Sequence, residues 1–225
     1  MIETELNASG YGYNAINYTT EFQRVLRGVF ECYTKMLKDN ILVPNDENEI
    51  RDKLFFNYLD NNNIRKQIGL LEYLFVREGL EKTGGRADIQ VKTTQTFTKT
   101  EAYYNIECKR LDNKNTTGIS GLNAEYVKNG IYRFVSKQYS TYHRVNAMIG
   151  FIVETMCIHS NTNNISTLLQ NNFTNCNTTK TFQKETFISV FEYHYSSEHK
   201  DIDNKNFILY HLMLDVSNII IENKS

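Results

Sequence analysis

Between residues 20 and 39, Phe22, Val25, Leu26, Val29, Phe30, Tyr33, Met36 and Leu37 recur every three or four positions. That spacing lays an apolar stripe along one side of an α-helix, and Thr19 or Thr20 ahead of Glu21 is a suitable N-cap. Ile41 to Pro44 ends the helix. Asn45 or Asp46 then caps a second one, with Ile50, Leu54, Phe55, Tyr58 and Leu59 on its buried face, until Asn61-Asn62-Asn63 breaks it. Strand-like segments follow at Leu70–Val76, Ala87–Thr94 and Ala102–Arg110, the last two joined by the polar loop Thr93–Glu101. A loop over 112–121 precedes a third helix, Leu122–Ser140, with Tyr126, Val127, Ile131, Phe134 and Val135 at core spacing. The continuous apolar run Ala147–Val153 predicts a strand buried on both faces. Residues 160–182 are rich in Asn and Thr, with a short helix over Ile165–Asn171, and are the best candidate for a mobile insertion. Two strands, Phe187–Tyr195 and Phe207–Val216, flank a polar turn. Residues 1–18 read as an irregular lead-in and 19–225 as one α/β domain, a central mixed β-sheet flanked by α-helices.

Length and composition narrow the function. A chain of 225 residues that is 40% hydrophobic can bury a sizeable core. A net charge of −1 argues against coating nucleic acid non-specifically, yet it permits a local basic groove. Cys32, Cys108, Cys157 and Cys176 form no CxxC pair. Zinc spacing is therefore missing, and buried free thiols in a reducing cytoplasm are expected. The five histidines show no metalloprotease arrangement; His194 and His211 fall in adjacent expected strands and either meet across the sheet or, as is commoner, are separately satisfied sheet histidines. No apolar run reaches the roughly 18 residues a membrane helix needs. Met1–Gly12 lacks the basic and apolar regions of a secretion signal.

The chemistry concentrates in Gly84-Gly85-Arg86-Ala87-Asp88-Ile89-Gln90-Val91 and Tyr103-Tyr104-Asn105-Ile106-Glu107-Cys108-Lys109-Arg110. Side chains alternate along a strand, so Glu107 and Lys109 share a face. With Asp88 on the neighbouring strand, two acids and one amine converge. Such a set can hold a divalent metal and activate water against a phosphodiester. Glu-x-Lys alone is cheap: it recurs at Glu198-His199-Lys200 and Glu222-Asn223-Lys224. Placement after a hairpin from Asp88 sets Glu107 and Lys109 apart. Gly84-Gly85 is either a plain turn or a place for a phosphate backbone to come close to Asp88.

These segments resemble the PD-(D/E)xK nuclease superfamily, with Asp88 as the lone acid and Glu107-Cys108-Lys109 as the (D/E)xK. Arg86-Ala87 stands where the motif's proline would be. The order helix, three strands, helix, strand over 46–154 is similar to the family core. The resemblance implies a restriction-endonuclease-like fold and Mg²⁺ or Mn²⁺ held by Asp88, Glu107, the Cys108 carbonyl and Glu49. Glu49 looks like the acid many members carry on the first core helix, although an acid there also simply complements the helix dipole. Lys109 would orient or deprotonate the attacking water, its pKa lowered by metal and partial burial. Gln138 and Tyr142 resemble the Q-x-x-x-Y element of the RecB-type branch and would share one helical face. Arg86 lies near the site, and Arg133 and Lys137, four apart, either grip phosphates or form an ordinary solvated stripe. DNA is the implied partner, with bacterial restriction or phage defence as the context. A homodimer is expected where both strands are cut, with the Tyr-rich segments at 187–195 and 207–216 as a candidate interface. Two alternatives stay open: a catalytically silent module of the same fold, and a nuclease acting on RNA or branched DNA.

Overall fold

The computed structural model describes residues 12–221. Helix α1 (Gly12–Lys38) buries Phe22, Val25, Leu26, Val29 and Met36, the stripe expected from the spacing. Residues 12–18 of the expected lead-in are its first turns, and the rest of that lead-in lies outside the described residues. Asp46 caps α2 (Glu47–Leu54) by accepting the Asn48 and Glu49 N–H groups. The helix continues as a π turn, Phe55–Leu59. Asn61 does more than break it. Its side chain caps a further short helix, α3 (Asn62–Gln67).

Seven strands form one sheet in the order β1-β2-β3-β4-β7-β6-β5. They are β1 (Leu74–Leu80), β2 (Arg86–Lys92), β3 (Tyr103–Leu111), β4 (Val145–Ile152), β5 (Thr178–Lys184), β6 (His194–Lys200) and β7 (Asn206–Asp215). β1-β2-β3 and β7-β6-β5 pair antiparallel, whereas β3-β4-β7 pair parallel, so the sheet is mixed. β4 is buried along its whole length, as its apolar run requires. One apolar cluster joins α1 and α2 to Ile89, Ile106, Ile149 and Leu212. A second joins α4 (Leu122–Tyr126), the π turn Val127–Ile131, α5 (Tyr132–Val135) and α6 (Ile158–Asn171) to Leu111, Met148 and Met213. Helices therefore cover both faces.

Several expectations shift. β1 begins four residues later than the apolar run and carries on into Arg77 and Glu78. The third helix stops at Val135, because Lys137 turns the chain with φ +59°. The Asn/Thr-rich tract is ordered into α6, a 3₁₀ turn and β5. Its polar side chains are used: Asn161 and Asn123 exchange two buried hydrogen bonds, at 2.7 and 3.1 Å. β6 starts at His194, so residues 187–193 are not strand. β7 is paired on both sides, by β4 and by β6. Cys32, Cys108 and Cys176 are buried as expected, but Cys157 is exposed.

Candidate functional site: an acid–base cluster where two strands part

The β2–β3 ladder runs from Lys92↔Tyr103 to Ile89↔Ile106, and its next step would set Asp88 against Glu107. There the regular pairing stops. The Asp88 carboxylate takes over, its Oδ2 accepting the Cys108 N–H at 2.7 Å. A backbone donor freed by the parting strands is thereby satisfied by the acid itself. On the other side of β2, Glu78 lies between the pairs Arg77↔Ile89 and Gly79↔Ala87 and has φ +49°, a left-handed conformation that a β-strand residue rarely adopts. Strain of this kind tends to collect at functional sites.

Glu107 is only 1% exposed. Its Oε1 accepts from Lys109 Nζ and from Arg133 Nη1, both at 2.8 Å. Its buried Oε2 has no hydrogen-bond partner among the described residues. Burial and the nearby Asp88 charge push the Glu107 carboxyl up to about 7, although Lys109 and Arg133 pull it down. Lys109 Nζ also donates to the Cys108 carbonyl at 2.7 Å and to Glu47 Oε1 at 2.9 Å. Burial works to lower the Lys109 ammonium, but Glu107, Glu47 and Asp88 outweigh it and hold it above its ordinary value. Without a bound metal, these three acids keep Lys109 a cation; the expected lowering calls on the metal as well as on burial.

The acid that α2 brings to the lysine is Glu47, not Glu49. Glu47 uses both oxygens, Oε1 for Lys109 and Oε2 for the Arg110 N–H at 3.0 Å. Glu49 is exposed, and its N–H serves the Asp46 cap. One helical turn after Glu47, Arg51 is 2% exposed and reaches Asp88 Oδ1 at 2.6 Å, Asp52 at 2.8 Å and Glu78 at 3.2 Å. The sequence reading missed Glu47, Arg51 and Glu78. The i, i+4 spacing of Glu47 and Arg51 places both on one side of α2, and that was the available signal.

The other candidates part company. Arg133 joins the cluster through Glu107 and also donates to the Tyr139 hydroxyl at 2.6 Å. Lys137 points elsewhere, to Asp203 at 2.5 Å, so the two do not form one phosphate grip. Arg86 is largely exposed and 3.7 Å from Glu78. Gln138 and Tyr142 follow the end of α5 and share no helical face. Gln138 packs instead on the Gly84-Gly85 turn, where a Cβ at Gly85 would come within 3.0 Å of it and Thr83 Oγ1 donates to its carbonyl. His194 and His211 do not meet: Ile188 N–H bonds the first, and Tyr126 and Ser197 bond the second.

The fit to a hard divalent cation is partial. The unpartnered, buried Glu107 Oε2, on a carboxyl that feels the Asp88 charge, is the kind of oxygen such an ion takes. Asp88, however, already serves Arg51 and the Cys108 N–H, and the Cys108 carbonyl serves Lys109. Among the described residues, no group of three His, Cys, Asp or Glu side chains is preassembled as a metal cage. A cation at Asp88 would share the carboxylate with the Arg51 guanidinium or replace it. Among the described residues, no helix is long and apolar enough to cross a membrane. No protein-family model, no curated protein and no solved structure matches the chain.

Proposed function

We propose that the chain is a metal-dependent nuclease of the PD-(D/E)xK type, with a restriction-endonuclease-like fold, that hydrolyses phosphodiester bonds in DNA. One observation carries the reading: Asp88, Glu107 and Lys109 lie together where β2 and β3 part, and Glu107 keeps a buried oxygen with no partner among the described residues. Glu107 and Asp88, with the Cys108 carbonyl, would hold Mg²⁺ or Mn²⁺. Such an ion, when bound, supplies a Lewis acid and an acidified water. Lys109 Nζ, held by Glu107 and Glu47, presents its positive charge to a phosphate oxygen and orients the attacking water. Arg133 steadies Glu107 from the opposite helix layer. Glu47 holds Lys109 and the Arg110 N–H together, so it is a positioning residue.

The test is cleavage of plasmid, linear and single-stranded DNA with Mg²⁺ or Mn²⁺, comparing the natural chain with Lys109→Ala and Glu107→Ala. Metal-dependent cutting that each substitution lowers at least ~100-fold is the expected outcome. A second reading, a catalytically silent module of the same fold, is favoured by the Arg51–Asp88 pair, which fills one acid with a cation. Absence of cutting on every substrate, together with no calorimetric Mg²⁺ binding, would select it.

A further inference from the structure

Some distance from the acid cluster, the β2–β3 connection builds a groove that the proposed chemistry leaves unused. Phe97, on the 3₁₀ turn Thr94–Phe97, is 92% exposed. The turn is firmly held: Thr93 and Thr96 cap it reciprocally, and Thr96 Oγ1 donates to the Ala102 carbonyl at 2.7 Å. Phe97 is therefore presented on a braced support rather than a loose loop. With Leu71, Tyr73 and Leu74 it lines a mainly apolar cavity of about 620 Å³, within the size range of small-ligand sites.

Two cations border the cavity. Lys92 has no carboxylate within ion-pair reach among the described residues. Arg65 is 8% exposed and ties its terminal nitrogens to Asn62, Leu71 and Tyr73, but its buried Nε has no acceptor among the described residues. The one acid on the rim, Glu72, is already paired with Arg24 at 2.7 Å. The groove thus offers an aromatic face, apolar walls and, in Lys92, a cation with no counter-ion among the described residues.

We propose that this groove takes a nucleobase of the bound strand, stacked on Phe97, with the adjoining phosphate on Lys92. The proposal rests on the nuclease reading for its substrate class. Lys92 and Asp88 are four residues apart on β2. At ~3.3 Å per residue that is ~13 Å, a span of about four phosphates along a stacked strand. A strand reacting at Lys109 is long enough to pass the groove. A π-face and a free cation suit a base with its phosphate better than an aliphatic peptide, for which the cations would have no use.

The natural chain has no tryptophan, so Phe97→Trp places a single reporter in the groove. Its emission is titrated, in EDTA, with a single-stranded deoxy-dodecanucleotide and, separately, with inorganic phosphate and an amphipathic helical peptide. Anisotropy of the same labelled oligonucleotide is measured for the natural chain, Phe97→Ala and Lys92→Met. Saturable quenching by the oligonucleotide but not by phosphate is expected, with binding weakened about tenfold by Phe97→Ala. Unchanged affinity in both variants, or quenching by the peptide alone, overturns the proposal. Lys109-dependent cutting without any effect at Phe97 defeats the groove and spares the nuclease. Oligonucleotide quenching without Lys109-dependent cutting does the reverse.

Discussion

Arg51 is the residue on which the site's present state turns. Its guanidinium, almost wholly buried, is shared by Asp88, Asp52 and Glu78. Removing one partner of a buried charge cluster leaves the others uncompensated, which typically costs several kcal/mol. Arg51→Met is expected to destabilise the fold by ~3 kcal/mol in urea titrations, softened at Asp52 by its second partner Arg77. Added Mg²⁺ should restore part of that loss by replacing the guanidinium at Asp88. If Mg²⁺ leaves the variant's midpoint unmoved, Asp88 is not a cation ligand. The same pair explains why the sequence showed the acids but not their occupant. Asp88, Glu107 and Lys109 announce themselves by strand spacing, whereas the i, i+4 spacing of Glu47 and Arg51 shows only that they share one side of α2; where that side docks is set by tertiary packing.

Between elements, packing overrules propensity in identifiable places. Gly150 in β4 stands beside Lys109 of β3 and Met213 of β7 in the ladder. A Cβ there would come within 2.6 Å of Leu111 Cδ1 and 2.7 Å of Met213 Sδ. Valine favours strands in isolation, yet Gly150→Val is expected to cost roughly 1–3 kcal/mol through overpacking, read as a lower thermal or urea midpoint. A neutral result would mean that this part of the core can give way. Long periodic elements were readable for the converse reason. α1 and β4 bury surfaces that their own apolar spacing specifies. β1 was misplaced because Arg77 and Glu78 look like loop residues until Asp52 and Arg51 pair with them. α6 was cut short because Asn161 and Thr162 look solvent-facing, although both are buried.

For the molecule as a whole, buried titratable groups set a pH window. Burial pulls His143 and His199 down to about 4 and also lowers His194 and His211. Below pH ~6.5 the unfolded chain takes protons that these folded imidazoles refuse, so stability falls as pH drops toward 4. Glu107 has the opposite sign. Between about 4.5 and 7 its folded form holds the proton more tightly, so on its account stability falls as pH rises. Four histidines outweigh one carboxyl, and urea midpoints are expected to drop from pH 7 to pH 5. His143→Phe, which keeps the ring beside Tyr104, should flatten that acid limb, and Glu107→Gln should steepen it. A limb unaffected by either change would assign the titration to other groups. The strand order carries a last consequence, for synthesis. β7 sits between β4 and β6 but follows β5 and β6 along the chain. While the chain leaves the ribosome, β1 to β4 can assemble, but β5 and β6 have no place in the sheet until β7 emerges and is threaded against β4. During that interval the open edge of β4, apolar but for Asn146, is the surface a nascent chain most needs to have shielded.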